Sequence, residues 1–257
     1  MNNAVGSSLL KDKVLFVAGV GPLMGQATVR IAAQEGAKIA LAARSLTTIE
    51  PLAAEINSAG GEAIALQCDV TDEAQLASAI EKTNSTLGSI TSVFYNAPFY
   101  DHAHNTLDID PELWQTTMDI NMMGAMTVAR LTVPGMIENG GGAFVFNSSA
   151  AGLYADGVRL GYSVSKAGLD AIVRHIARVY GPKGIRANSV YPFVMPPEVP
   201  AEMAKGFADL NCLRRSGTPE EIGNAVVFLL SDRSSIITGQ GIYLDGGLFS
   251  RAHWPEM

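Results

Sequence analysis

The sequence predicts an α/β fold: a doubly wound, parallel, seven-stranded sheet with helices on both faces. Three observations predict it. Short runs rich in Val, Ile, Leu and Phe alternate with longer stretches of helical periodicity along the whole chain. The short runs are apolar on both faces, as parallel strands covered by helices must be. The first of them breaks into glycines, FVAGVGPLMG at 16–25, immediately before a helical pattern. A strand, a glycine turn and a helix in that order make the first βαβ unit of such a sheet.

The elements follow in order. The strand VLFVA precedes a helix near 24–36, and KIALAA precedes one near 46–59. EAIALQCD leads to a helix near 72–87, and TSVFYNA to a long helix near 111–138. AFVFNSS is followed by a helix near 161–180, IRANSVYP by a helix near 219–231, and GIYLDGG closes the sheet. The least regular stretch, 193–215 with PPEVPAEM inside it, reads as a substrate-binding loop or lid.

At 257 residues with no sharp compositional shift, residues 1–257 read as one domain with ample length for a buried core. A net charge of −7, with basic side chains scattered, offers no stripe for nucleic acid. No secretory signal pattern and no run of apolar residues long enough for a membrane helix is visible, so a cytoplasmic protein without membrane contact is expected. Cys68 and Cys212 stand far apart and read as reduced thiols.

Gly19, Gly21 and Gly25 lie in the first turn of the sheet, where Leu23 and Met24 open a helix whose backbone N–H groups and dipole favour a pyrophosphate. The second strand ends LAAR: Ala43 removes the carboxylate that would take ribose hydroxyls, and Arg44 offers a fork for a 2′-phosphate. That favours NADP(H), with NAD(H) as the alternative. Asp69, followed by Val70 in QCDVTD, faces the adenine end; equally, Asp69 or Thr71 caps the next helix.

The pattern that carries chemistry is GYSVSKAGLDAI. Tyr162 and Lys166 are four residues apart, so a helix sets them one turn apart on one face. An ammonium beside a phenol favours the phenolate and is expected to lower its pKa, suiting proton exchange with a carbonyl or an alcohol. Ser149 ends the fifth strand at the sheet edge where open α/β folds bind ligands. Asn121 interrupts an apolar helix and reads either as a satisfied core amide or as a functional one.

Together these residues resemble the short-chain dehydrogenase/reductase family, in its branch of about 250 residues with a single Rossmann domain. The resemblance runs from VLFVAG to ITGQGIYLDGG. It implies that Tyr162 is the general acid/base, that Ser149 orients the substrate oxygen, and that Lys166 binds the nicotinamide ribose and lowers the tyrosine pKa. Asn121, in N-x-x-G with Gly124, would hold a water in a proton relay. Asn96 and Ala97 match part of the family's N-N-A-G, Asp245 and Gly246 its C-terminal motif, and Pro192, Val194 and Met195 fall at the nicotinamide end.

The cofactor-side motifs depart from the family's. Ala18 and Leu23 replace a threonine and a glycine of the first loop, Tyr95 and Pro98 flank Asn96-Ala97, Phe193 follows Pro192, and Pro197 takes a threonine position. A non-catalytic nucleotide-sensing or interaction protein would tolerate this drift but has no use for an intact Asn121–Ser149–Tyr162–Lys166 set. An enzyme with a reshaped loop explains both, because Leu23 keeps its N–H and only Pro22 loses one.

For substrate, Ser149, Ala150, Gly152, Leu153, Tyr154, Phe99, Tyr100 and Phe193 outline an apolar and aromatic wall with no cationic clamp. It suits a neutral, medium-sized ketone or secondary alcohol, cyclic or aromatic. His102 and His104 have metal-like spacing but no partners in sequence, and no metal is expected. Met122, Met123 and Met126 read as core and subunit interface. The family resemblance implies a homo-oligomer, a tetramer or dimer built through the helices of Asn121 and Tyr162, with FSRAHWPEM packing across it.

Overall fold

Strand and helix alternate throughout the residues that the computed structural model describes, 8–101, 106–154, 157, 159–193 and 201–250. The strands are β1 Val14–Ala18, β2 Lys38–Ala43, β3 Glu62–Gln67, β4 Ser92–Tyr95, β5 Gly142–Asn147, β6 Ile185–Pro192 and β7 Gly241–Leu244. The helices are α1 Met24–Gln34, α2 Leu46–Ser58, α3 Glu73–Leu87, α4 Pro111–Met118, α5 Gly124–Glu138, α6 Leu160–Tyr180, α7 Ala201–Ala208 and α8 Pro219–Leu230.

The seven strands pair in parallel in the order β3-β2-β1-β4-β5-β6-β7. Strand order therefore reverses at β1, which lies between β2 and β4, and ligands of such sheets bind in the crevice beyond the carboxyl ends at that switch. Alternate residues of β1 feed two cores. Phe16 joins Val93, Phe144 and Phe146 against α3, α5 and α6. Leu15 and Val17 join Leu41, Phe94 and Val145 against α1, α2 and α8. Burying a side chain of this size stabilises by roughly 1.5–3 kcal/mol, so the sheet is anchored from both faces.

Three sequence expectations change. Asp72, rather than Asp69 or Thr71, caps α3: its side chain accepts from the Gln75 N–H at 3.1 Å, while Asp69 Oδ1 accepts from Thr71 N and Oγ1 at 2.9 and 2.8 Å. The helix expected over 111–138 is broken into α4 and α5 by one π-helical turn, Asp119–Met123, with Asn121 inside it. Such wide turns are frequent at functional sites, and periodicity in sequence does not reveal them. The segment 193–215 contains α7, which the prolines at 196, 197 and 200 concealed.

Candidate active site

Helix α6 presents Tyr162 and Lys166 from its first two turns, both buried against the sheet. Lys166 Nζ lies 5.4 Å from the centre of the Tyr162 ring and donates to the Asn147 carbonyl, at the end of β5, at 2.7 Å. Burial brings the Lys166 ammonium down to about 8. The Tyr162 phenol moves opposite to the sequence expectation. Burial pushes it well above the ordinary tyrosine range and Tyr100 adds to the rise, while the Ser149 side chain and the Arg159 charge act in the other direction. In the protein by itself, desolvation of the phenol outweighs the neighbouring cations.

Ser149 follows β5 at the mouth of the sheet. Its Oγ accepts from Ala151 N at 3.1 Å, capping the single 3-10 turn Ala150–Gly152, and the side chain acts to lower the Tyr162 pKa. Asn121 is fully buried. Its Oδ1 accepts from Phe99 N at 2.7 Å, and its Nδ2 donates to Phe99 O at 2.8 Å and Ser165 Oγ at 3.0 Å. Ser165 Oγ in turn donates to the Tyr162 carbonyl at 2.7 Å. Asn121 thus clamps the segment after β4 onto the helix of Tyr162. With both amide hydrogens committed to these partners, the water implied by the family resemblance would have to meet other atoms of this turn.

The structure sets Tyr100, expected in the substrate wall, against Tyr162 and adds Asp101 and Arg159, which the sequence did not single out. The Tyr100 ring stacks on Tyr162 with centroids 4.8 Å apart, and Tyr100 acts to raise the Tyr162 pKa. Asp101, fully buried, accepts from the backbone N–H groups of Gly161 and Tyr162 at 2.6 and 3.1 Å. No local signal marks this cap, because it lies some sixty residues from the helix it closes. Arg159 places its guanidinium carbon 5.2 Å from the centre of the Tyr162 ring.

At the switch point, a cleft of about 260 Å³ is lined by Gly19, Gly21, Arg44, Asp69, Val70 and Ala97 among others. Gly19 has φ 89°, and a Cβ there would come within 2.6 Å of the Ala97 backbone, so this position demands glycine. A Cβ on Gly25 would sit 3.0 Å from Asn96 Nδ2, so this glycine lets α1 approach β4 closely. Gly21 has nothing within 4 Å of such a Cβ and leaves the loop open to a ligand. Leu23 is the N-cap of α1, without a side-chain cap for the first turn. Leu23 and Met24 therefore bring N–H donors, while the Met24 side chain packs toward the core.

Asn96 lies at the cleft floor, its Nδ2 donating to Gly19 O at 2.9 Å and its Oδ1 accepting from Asn147 Nδ2 at 2.8 Å. Among the described residues, buried Asn147 Oδ1 has no partner. Open backbone donors, a glycine-only approach and an exposed arginine at the far end fit a dinucleotide carrying phosphates.

A second cavity, of about 410 Å³, is lined by Ser149, Ala150, Tyr154, Arg159, Phe193 and Phe249 among others, with Tyr154 and Phe249 stacked at 4.2 Å. Pro192 lines this cavity rather than the switch-point cleft. Gly152 does not line it: a Cβ there would lie 2.6 Å from Ala167 N, so the glycine serves close packing on α6. Leu153 is exposed outside it. Phe99 lines the switch-point cleft instead. The expectation of a wall without a cation is corrected by Arg159, which sequence spacing could not place in the wall. Val194, Met195, Pro197, His102, His104 and the last seven residues lie outside the described residues. Among the described residues no three His, Cys, Asp or Glu side chains converge on a metal position, and no helix is long and apolar enough to cross a membrane.

A switch-point cleft for a dinucleotide beside a Ser–Tyr–Lys set describes a nicotinamide-dependent oxidoreductase. The sequence model of the family described as enoyl-(acyl carrier protein) reductase matches residues 20–249. Cyclohexanol dehydrogenase of Acinetobacter sp. (strain SE19) is 30% identical over 246 residues, covering 95% of this chain and 98% of that one. 2-(S)-hydroxypropyl-CoM dehydrogenase 3 of Xanthobacter autotrophicus (strain ATCC BAA-1158 / Py2) is 31% identical, covering 94% and 98%. A crystal structure of a putative short-chain alcohol dehydrogenase from Sinorhizobium meliloti 1021 superposes with a TM-score of 0.89 at 28% identity, covering 96% of this chain and all of that one. The chain belongs to the short-chain dehydrogenase/reductases, oxidoreductases that use nicotinamide cofactors.

Proposed function

We propose that the protein is an NADP(H)-preferring enzyme that interconverts a medium-sized, cyclic or aromatic ketone and its secondary alcohol, with Tyr162 as the general acid/base. One observation carries this reading. Tyr162 is a buried phenol whose pKa the Ser149 side chain acts to lower, and Ser149 also lines the aromatic cavity. Proton donor and substrate wall thus meet at one hydroxyl. The similarity to a cyclohexanol dehydrogenase supports a ring-sized substrate.

The nicotinamide cofactor, when bound, supplies or accepts the hydride. Gly19, Gly21, Gly25 and the N–H groups of Leu23 and Met24 would hold its pyrophosphate, Arg44 would meet a 2′-phosphate, and Asp69 and Val70 would meet the adenine end. Ser149 fixes the substrate oxygen, and Tyr162 gives it a proton in reduction or takes one in oxidation. Because burial holds the phenol protonated, the acid form is ready for carbonyl reduction at neutral pH. Lys166, buried one turn away, provides positive charge and a hydrogen-bond donor beside the ribose end. The expectation of a neutral substrate rested on a wall without cations, and Arg159 removes that premise.

Tyr162→Phe tests the reading. Turnover should fall at least a thousandfold while NADPH still quenches protein fluorescence, because truncating the proton donor spares the cleft. Retained turnover would refute the assigned role, and nucleotide binding by a wild-type protein that reduces no ketone would favour the nucleotide-sensing alternative.

The proposed assembly is a homotetramer or homodimer. Met123, Met126 and Ile137 are exposed on the π-turn and α5, and a groove between α5 and α6 is lined by Val133, Pro134, Ile172 and Ile176. Light scattering reads the assembly directly. The proposed compartment is the cytoplasm, in keeping with the free thiols of Cys68 and Cys212.

A further inference from the structure

We infer that Asp170 is the buried counter-charge of Lys166, a positioning residue that, held by Tyr191 one turn further along α6, keeps the Lys166 ammonium charged and in place. The consequence for turnover rests on the oxidoreductase reading above, whereas the pairing itself does not.

The two groups share the inner face of one helix. Asp170 is four residues beyond Lys166 on α6, so the side chains stand one turn apart, and each residue is only 2% exposed. Lys166 Nζ donates to the Asn147 carbonyl of β5 at 2.7 Å, and Asp170 Oδ2 accepts from the Tyr191 hydroxyl of β6 at 3.0 Å. Each charged head is thus held from the sheet while the two act on one another along the helix. Strand β7 leaves space for the Tyr191 hydroxyl, because a Cβ on Gly241 would collide with it. Among the described residues, buried Asp170 Oδ1 has no hydrogen-bond partner. A carboxylate oxygen kept dry in this way costs stability unless a nearby opposite charge offsets it.

Burial disfavours the charge on both groups. It pushes Asp170 above the ordinary carboxylate range, against Ser189, Ser148, Tyr191 and the Arg174 charge, all of which act to lower it. It brings Lys166 down to about 8, with Asp170 acting to raise it. Opposite charges in one dry interior relieve each other. The titratable groups that face the pair are Tyr162 and Arg174 on α6, Tyr191 on β6 and, with its ring centroid 5.0 Å from that of Tyr191, Tyr243 on β7. From β5 come Asn147 and Ser148, both uncharged. Asp170 is the carboxylate in this set, so the role of counter-charge falls to it.

The experiment is a double-mutant cycle on the purified full chain without nucleotide. Lys166→Met and Asp170→Asn, singly and together, are unfolded in urea over a range of pH. Each single substitution strands one buried charge, so the urea midpoint lost by the double variant should fall well short of the two single losses added. In the wild type, the stability relative to Lys166→Met should rise with pH from about 8. With Asp170→Asn in both proteins, that rise should begin about one pH unit or more lower. Ketone reduction with NADPH by Asp170→Asn should be nearest the wild type at acidic pH and fall behind as pH rises through the shifted window. A packing role alone would cost the same at every pH. Additive midpoint losses, or a rise that begins at the same pH in both backgrounds, overturns the inference. Should Asp170→Asn fail to fold, recovery of folding on adding Lys166→Met supports the inference, and no recovery overturns it. Coupled losses in a protein that turns over no ketone or alcohol support the counter-charge and refute the oxidoreductase reading. Turnover by the wild type with additive losses does the reverse.

Discussion

Asp101 and Tyr162 are joined across sixty residues of sequence: the Asp101 carboxylate accepts from the backbone N–H of Tyr162 at 3.1 Å and from that of Gly161 at 2.6 Å. A residue just beyond β4 thereby caps the helix of the proposed catalytic pair. The match is close enough that a Cβ on Gly161 would meet Asp101 Oδ2 at 2.6 Å. Two of the first-turn donors of α6 that no local side chain caps are satisfied this way.

Asp101→Ala leaves those buried N–H groups without acceptors and removes a negative charge from the helix start. We expect a stability loss of about 1–3 kcal/mol by urea denaturation. The kcat should fall about tenfold or more with little change in KM, because the phenol rather than the cavity is displaced. Asp101→Asn keeps one acceptor and should fall between. A variant as active and stable as the wild type would show that the cap does not position Tyr162.

Tyr100→Phe keeps the ring stacked at 4.8 Å and removes only the hydroxyl. Tyr100 raises the Tyr162 pKa, so its removal should lower it. Alcohol oxidation needs the phenolate, and its rate rises with pH through this pKa. The rising limb of kcat/KM should therefore move to lower pH in the variant, and the high-pH loss of ketone reduction should move the same way. Profiles that superpose on the wild type in both directions would rule out the Tyr100 hydroxyl as a tuning group.

Arg44 lies exposed at the end of the switch-point cleft, with Ala43 beside it where a carboxylate would read ribose hydroxyls. Arg44→Ala should weaken NADPH binding by about tenfold or more and leave NADH within a few-fold, measured by fluorescence titration. Equal losses for both nucleotides would show that Arg44 does not meet the 2′-phosphate.

Lys166 links stability to pH. Burial lowers it from 10.5 to about 8, so between those values the unfolded chain holds a proton that the folded chain has released. Stability contributed by this site therefore rises with pH across that window, and the full cost of charging a buried amine is felt below about 8. In cofactor-free protein, the stability of the wild type relative to Lys166→Met should grow as pH is raised from 8 to 10.5. A difference that stays flat would place the ammonium in a better solvated position.

The strand–helix alternation determined the sheet, because each element carries its own periodicity and the parallel strands announce double burial by continuous apolar runs. Gly19 and the Tyr162–Lys166 spacing were legible for the same local reason: one turn or one helix face decides their geometry. Composition could not show that the helix through Asn121 widens into a π-turn, since Asn121 bonds to Phe99 and Ser165, residues far away in the chain. Nor could it show the direction of the Tyr162 shift, which depends on how deeply the phenol is buried, nor Arg159 in the cavity wall. The Asp101 cap and the Tyr100 stack are likewise invisible along the chain. Local periodicity and turn chemistry determined where the elements are, whereas burial and contacts between distant segments were decided only when the strands paired and brought those segments together.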